Sequence, residues 1–463
     1  MFYLIFSFLL FFSSVQTIQY SEVEGDWRGA IDVYGDELAI QITFSYSDNE
    51  LDGTLDIPQQ QAYNLPIEVT SAVGDEIIFQ FETGSGPAIF YGVWSAENRS
   101  IIGEFEQLGE RFPFYLNKQS RSGLPSMDQT EIDLIIPTRV GEIGGTLLLQ
   151  EDPSPLIILL TGSGSQDRDE TIAGFRVFNV LSRQLYQNGY SSFRYDNRGV
   201  GASSGNSDAT LEELAEDLVD VISYLQFEHG DQFTEVIYLG HSQGGLVASI
   251  AATETDPKAI IFMATPLLSA DKIINQQIIK LSEAQAIPED IMNTNLEYQE
   301  RIYDVVRTAG DWEPVEESLR ERLQEQINQL PEAQIEALGN MDGFIQSQIQ
   351  RQLSAAKSDW FKSLINIEPF DVVKELEVPI LAIFGEKDMQ VYPDGNLEEV
   401  IKLRNEPGVR LDYSVIPEAN HLFQQSNSGL PSEYGMLDQS FADGFISTII
   451  EWLDALNEEG SRE

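Results

Sequence analysis

The sequence predicts an α/β chain with a helical insertion, preceded by a small all-β domain. Three observations predict this. The first hundred residues alternate apolar and polar at period two. After residue 128, short apolar strands alternate with amphipathic helices, as in parallel sheets with crossover helices. Between residues 266 and 376 the strand pattern stops and only helical spacing remains. At roughly 150 residues per domain, 463 residues suit about three such units. Apolar residues at 42% and aromatics at 10% supply a core and exclude global disorder.

Residues 1–12, MFYLIFSFLLFF, are apolar except Ser7. The run is shorter than the about 20 residues that span a bilayer and fits a signal h-region. Ser13, Ser14 and Thr17 supply small residues for cleavage, so residues 1–20 are expected to direct export. No Lys or Arg precedes the run and no A-x-A follows it, which leaves an uncleaved membrane anchor or a buried strand as alternatives. Membrane contact is expected only if residues 1–12 are retained.

Residues 21–118 form the all-β segment. Leu38, Ile40, Ile42, Phe44 and Tyr46 share one strand face, as do Ile77, Phe79 and Phe81, and Phe112, Phe114 and Leu116. Asp48-Asn49, Asp52-Gly53 and Gly84-Ser85-Gly86 are read as turns. About eight strands can close a small barrel, filled by side chains or holding one ligand; the filled, accessory form is expected. Residues 119–128, QSRSGLPSMD, read as a linker.

The α/β domain is assigned to 129–265 and 377–463. Its strands are expected at Ile132–Pro137, Gly145–Gln150, Leu156–Thr161, Ser191–Tyr195, Glu235–Leu239, Ala259–Ala264, Pro379–Phe384 and Arg410–Ile416. Helices are expected over Gly174–Asn188, Leu211–Phe227 and Phe441–Leu456. In the insertion, 266–376, Leu319, Leu323, Ile327 and Leu330, then Ile345, Ile349 and Leu353, follow helical spacing; Pro331 marks a start and Gly339 a stop. Such a cap would lie over the carboxyl ends of the strands, where open α/β sheets bind ligands.

Lys+Arg 27 against Asp+Glu 76 gives a net charge of −49, and no basic stripe exists to neutralise phosphates, so no nucleic-acid partner is expected. An acid excess spread along the chain resembles that of proteins from salt-adapted (halophilic) organisms. The absence of cysteine excludes disulfides, thiolate nucleophiles and Cys-ligated metals. The three histidines, His229, His241 and His421, show no HExxH spacing, so no metal is expected.

Gly240-His241-Ser242-Gln243-Gly244 follows the strand EVIYLG and opens the helix-like run GLVASIAAT. A strand, a tight turn and a helix give G-x-S-x-G its meaning: the glycines permit the turn that lifts the Ser242 hydroxyl above the sheet. Serine needs a base. In architectures with such an elbow the acid and then the histidine follow the nucleophile, which leaves His421, just after the strand RLDYSVI. The acid should follow PILAIF, where Asp388 is chosen and Glu386 is the fallback. Two backbone N–H groups must hold the oxyanion. One is Gln243. The other belongs to the loop Thr161-Gly162-Ser163-Gly164 after LIILLT, with Ser163 preferred and Gly164 its neighbour. Gly162-x-Gly164 is a partial dinucleotide fingerprint, but Asp167, Asp169 and Glu170 would repel a pyrophosphate. Asp167, Arg168 and Asp169 are read as a structural ion-pair loop at the rim, and Asp196 and Arg198 as braces. Trp360 and Phe361 are considered as pocket lining, with cap core the preferred role.

TGSGSQDRDE, FRYDNRGVGASSG, GHSQGG, FGEKDMQV and ANHLFQ, in this order, resemble the α/β-hydrolase superfamily, near the bacterial serine aminopeptidase (S33-like) and esterase groups. The all-β segment resembles the lipocalin-like domain that precedes the hydrolase domain in some secreted bacterial proteins. The resemblance implies a Ser242–Asp388–His421 triad, with Asp388 on the G-x-x-D turn and Ser163 after the loop's "HG" step, where Thr161 replaces His. It implies acyl transfer to water from a small-molecule ester, thioester or peptide, without a cofactor. A carboxylesterase is the favoured expectation; an aminopeptidase or thioesterase, and an inactive binding protein, are the alternatives.

Overall fold

The structure, a computed structural model, describes residues 23–118 apart from 34–35, 48–49, 58–61, 74–75, 84–85, 96–99 and 108–109, and then 131–284, 287–328 and 340–460. The expected leader, the linker and the Pro331–Gly339 boundaries therefore lie outside the described residues. The chain divides into two compact units.

The first is a closed barrel of eight antiparallel strands: β1 Gly25–Val33, β2 Asp36–Ser47, β3 Glu50–Ile57, β4 Ala62–Val73, β5 Glu76–Thr83, β6 Gly86–Ser95, β7 Ser100–Gln107 and β8 Glu110–Lys118. β8 pairs back onto β1, with Gly29 opposite Leu116, so no strand edge is left open. The period-two pattern sets the interior. Trp27, Phe44, Phe79, Phe90 and Phe114 are buried in one cluster, and Phe79 stacks on Phe90 at 4.6 Å. Asp52-Gly53 is not a turn. Both residues lie within β3, where Gly53 faces Phe44 and Ile67. A Cβ on Gly53 would stand 2.2 Å from the Thr43 carbonyl oxygen, so the glycine serves close strand approach.

The second unit holds an eight-stranded sheet: β9 Ile132–Thr138, β10 Gly141–Leu148, β11 Ser154–Leu160, β14 Ser191–Tyr195, β15 Phe233–His241, β16 Ala259–Met263, β17 Ile380–Gly385 and β18 Leu411–Ile416. A two-residue ribbon, β12 Thr171–Ile172 with β13 Phe175–Arg176, follows β11. Across the sheet the order is β9-β10-β14-β11-β15-β16-β17-β18, with β10 antiparallel to both neighbours and the strands from β14 to β18 parallel. Counted along the chain without the ribbon, that is 1-2-4-3-5-6-7-8, the order of the α/β-hydrolase fold. The parallel strands are buried on both faces and read as near-continuous apolar runs, such as AIIFM and ILAIFG. β10 begins four residues before the predicted Gly145, because Gly141–Gly144 pair with β9.

Helices α1 Val177–Gln187, α2 Leu211–His229, α3 Gln243–Ala251, α10 Pro393–Leu403 and α11 Phe445–Gly460 connect the strands. α2 starts on a capping box: Thr210 Oγ1 accepts from Glu213 N (3.2 Å), and Glu213 Oε2 accepts from Thr210 N (2.9 Å). Between β16 and β17 stand α4 Ala270–Ala284, α5 Glu289–Thr308, α6 Glu313–Asn328, α7 Met341–Lys357, α8 Asp359–Asn366 and α9 Pro369–Val373. Leu319, Leu323, Ile327, Ile345, Ile349 and Leu353 join Tyr303 in a core of the cap's own. The cap is tied down at α8, where the Asp208 carboxylate accepts from Asp359 N and Trp360 N, and Leu211 N donates to Ser363 Oγ (3.1 Å).

Candidate active site

Ser242 stands between β15 and α3 at φ 51°, ψ −121°, a region costly for any residue with a Cβ. Its neighbours enforce this conformation. A Cβ on Gly244 would meet the Leu160 carbonyl oxygen at 2.2 Å, and one on Gly240 would meet the Gly244 backbone at 2.3 Å. Ser242 N donates to Met263 O (2.8 Å), pinning the turn to β16. As the first residue of α3, Gln243 has an N–H without an acceptor within its helix, beside the positive end of the helix dipole.

Asp388 and His421 follow β17 and β18, and both are buried. His421 Nδ1 lies 2.7 Å from Asp388 Oδ2. Asp388 Oδ1 accepts from Gln390 N (2.7 Å) and Val391 N (2.8 Å), which fixes the carboxylate plane. The His421 loop is held by Asn420, whose Oδ1 accepts from Leu422 N and Gln424 N. The fallback acid is engaged elsewhere, as Glu386 Oε2 accepts from Glu418 N (2.9 Å). His229 ends α2 and stands apart from this cluster in the chain's topology.

The loop after β11 lies against the nucleophile: a Cβ on Gly162 would come 3.4 Å from the Ser242 Cβ. Gly162 N donates to Glu170 Oε1 (2.6 Å) and is spent. Gly164 stands at φ 96°, its carbonyl accepting from Gln166 N (3.1 Å) and Asn197 Nδ2 (3.3 Å). Ser163 lies between them. Thr161 does not occupy a histidine's role here; its hydroxyl donates to Asn197 Oδ1 (3.0 Å).

The ion-pair loop is more buried than the expected rim position. Asp169 is 8% exposed and binds Arg194 Nε (2.7 Å) and Arg176. Burial raises its carboxyl, but the two guanidiniums outweigh that and hold it below the ordinary carboxylate range. Asp196 receives Arg168 through Nη2 (2.7 Å), and Arg198 pairs with Asp217. These braces match the sequence reading.

Two features escaped it. Glu170, read only as repulsive charge, is fully buried and lies 2.8 Å from His241 Nδ1. Trp360, weighed as pocket lining with cap core preferred, donates its indole N–H to the side chain of Gln243 (2.5 Å), a contact the sequence did not suggest, whereas Phe361 does pack on the cap core. The strain at Glu170, φ 48°, has no sequence signal, and the Trp360 contact depends on how the cap folds back over 117 residues. Trp360, Gln243, Gly164, Asn197, Arg198 and Asp208 help line a cavity of about 560 Å³. Among the described residues no cluster of three or more His, Asp or Glu is arranged to hold a metal ion.

Residues 175–307 match the family model described as serine aminopeptidase, S33. Esterase EstD of Thermotoga maritima is 24% identical over 318 residues, 68% of this chain; the chain spans 66% of that esterase's length, just under two thirds. Among solved structures, the Pyrococcus furiosus esterase Pf2001 aligns at 16% identity over 73% of this chain and 95% of its own, with a TM-score of 0.41. Est1E of Butyrivibrio proteoclasticus aligns at 14% identity over 72% and 99%, with a TM-score of 0.37. By its strand order the second unit has an α/β-hydrolase fold, and the chain, in which an eight-stranded barrel precedes that unit in sequence, resembles the S33-like serine hydrolases and esterases.

Proposed function

We propose that this protein is an exported serine hydrolase, a carboxylesterase in which Ser242 is the nucleophile, His421 the base and Asp388 the orienting acid. The observation that carries the reading is the 2.7 Å contact of His421 Nδ1 with Asp388, in a loop that His241, the residue before the strained Ser242, holds through the His421 carbonyl oxygen (3.0 Å). His421 Nε2 takes the Ser242 proton as the hydroxyl attacks the ester carbonyl. The N–H groups of Gln243 and Ser163 receive the oxyanion. The alcohol leaves with a proton from His421, and a water activated by His421 releases the acid and restores the serine.

An ester is favoured over an aminopeptidase substrate by the lining of the cavity that adjoins Ser242 through Gln243. A free α-ammonium needs an uncommitted carboxylate. Among the described residues, Asp208 is the one carboxylate lining the cavity, and it accepts from two N–H groups at the start of α8; Arg198, the one cation there among them, is committed to Asp217. The similarity to EstD points the same way. The test compares p-nitrophenyl acetate and butyrate, a thioester and aminoacyl p-nitroanilides, using wild type and Ser242→Ala in low and high salt. Ester turnover lost in the variant is expected; turnover of the anilides above that of the esters would replace the esterase by the aminopeptidase. Export is tested by intact mass, expected to lack about 20 N-terminal residues.

A further inference from the structure

We propose that Glu170 and His241 form a buried positioning pair that fastens the oxyanion loop and the base loop to the nucleophile strand. The inference rests on the proposed roles of Ser163 and His421. Three loops meet in one hydrogen-bonded chain. Glu170 Oε1 accepts from Gly162 N at 2.6 Å and lies 2.8 Å from His241 Nδ1. His241 Nε2 lies 3.0 Å from the carbonyl oxygen of His421. The loop after β11, the end of β15 and the loop after β18 are thus joined through a single imidazole.

The proton positions follow from the acceptors. A carbonyl oxygen only accepts, so His241 Nε2 carries a hydrogen. An ionised Glu170 can only accept, so Nδ1 facing it carries a hydrogen as well, and the ring is then an imidazolium. Burial opposes that charge, but Glu170, the His421 carbonyl and Asp388 outweigh it and raise the group above its ordinary range. Glu170 Oε2 has no hydrogen-bond partner among the described residues, so the carboxylate is held through Oε1, by Gly162 N and His241. The His421 ring lies 4.7 Å from the His241 ring, centroid to centroid. An ion pair this deeply buried carries a desolvation cost that apolar side chains would avoid. Here it gives direction: with Gly162 N–H turned to Glu170, the next N–H, that of Ser163, is left for the reaction. Glu170 accepts a left-handed backbone, φ 48°, to make this contact.

Glu170→Gln keeps the shape and removes the charge. The imidazole then loses a proton and one of its two anchors. The expected result with p-nitrophenyl butyrate is a kcat lowered on the order of 10–100-fold, with KM within threefold and an unchanged melting temperature, as small misplacement of reacting groups produces. The rate of fluorophosphonate labelling at Ser242 should fall in parallel. A kcat within threefold of wild type, or a change confined to KM, overturns the proposal. The second measurement needs no variant: ¹⁵N shifts of the histidine rings in the wild-type protein at pH 8. Two protonated nitrogens on His241 support the pair, and a bare nitrogen overturns it. Failure of the wild type to hydrolyse or to label would instead remove the proposed function, while the ring shifts still decide the pair.

Discussion

Asp388→Asn separates the acid's chemical role from its structural one. Asp388 Oδ1 is held by the N–H groups of Gln390 and Val391. An asparagine must keep its oxygen there, because its NH2 would face two donors. Its NH2 then replaces Oδ2, 2.7 Å from His421 Nδ1. Two donors cannot share that contact, so Nδ1 must give up its hydrogen and Nε2 must carry it. An Nε2 bearing hydrogen cannot take the serine proton. The expected loss in kcat is about 10⁴-fold, the scale of a wrong-tautomer triad, or about 5 kcal/mol of transition-state stabilisation. Folding keeps a hydrogen bond at this contact, now neutral instead of charge-assisted, at a cost of about 1–2 kcal/mol. The assay is kcat on p-nitrophenyl butyrate at pH 8 beside thermal unfolding. Glu386→Gln is the control: its contact is with Glu418 N, and activity should stay within threefold. Asp388→Asn protein keeping more than a tenth of wild-type kcat, or a larger loss in Glu386→Gln, would refute the reasoning.

The other predictions concern the cap and the buried charges. Trp360→Phe removes the indole donor to Gln243 while keeping an aromatic ring in the cavity wall; kcat/KM should fall about tenfold, one hydrogen bond's worth, with little change in melting temperature. Asp169 is lowered by Arg176 and Arg194 against its burial, so its stabilising contribution is present above the unfolded carboxylate value of about 3.9 and is lost as pH falls through its lower folded value. Asp169→Asn should be less stable at neutral pH and lose less on acidification, as read by denaturant unfolding at pH 7 and pH 3. Net charge −49 predicts a melting temperature that rises with salt as self-repulsion is screened; a flat salt dependence would remove the salt-adaptation reading.

What could be read from the sequence was what local periodicity and chain order determine. The apolar runs LIILL and AIIFM announce strands because both faces are covered, and period two in Leu38–Tyr46 announces a half-buried barrel strand. Ser242 was legible because an elbow needs glycines at fixed offsets, and His421 because few histidines existed to choose from. Gly53 was misread, since a glycine that lets two strands approach has the same local appearance as one that turns the chain. Asp388 is preferred to Glu386 on its turn pattern; its contact with His421 and the two N–H groups that hold it exist only in space. Glu170 stayed hidden because its partner is 71 residues away and its importance lies in burial, which charge counting reads with the wrong sign.

The most direct test of the account is labelling of the folded wild-type protein with a fluorophosphonate, in low and high salt, with the adduct mapped by mass spectrometry. An activated serine reacts whatever its natural substrate. A working triad gives one adduct, on Ser242, abolished in His421→Ala and in Asp388→Asn. A folded protein that takes no adduct at either salt, or takes it on another residue, would contradict the triad and move the chain to the inactive, ligand-binding reading.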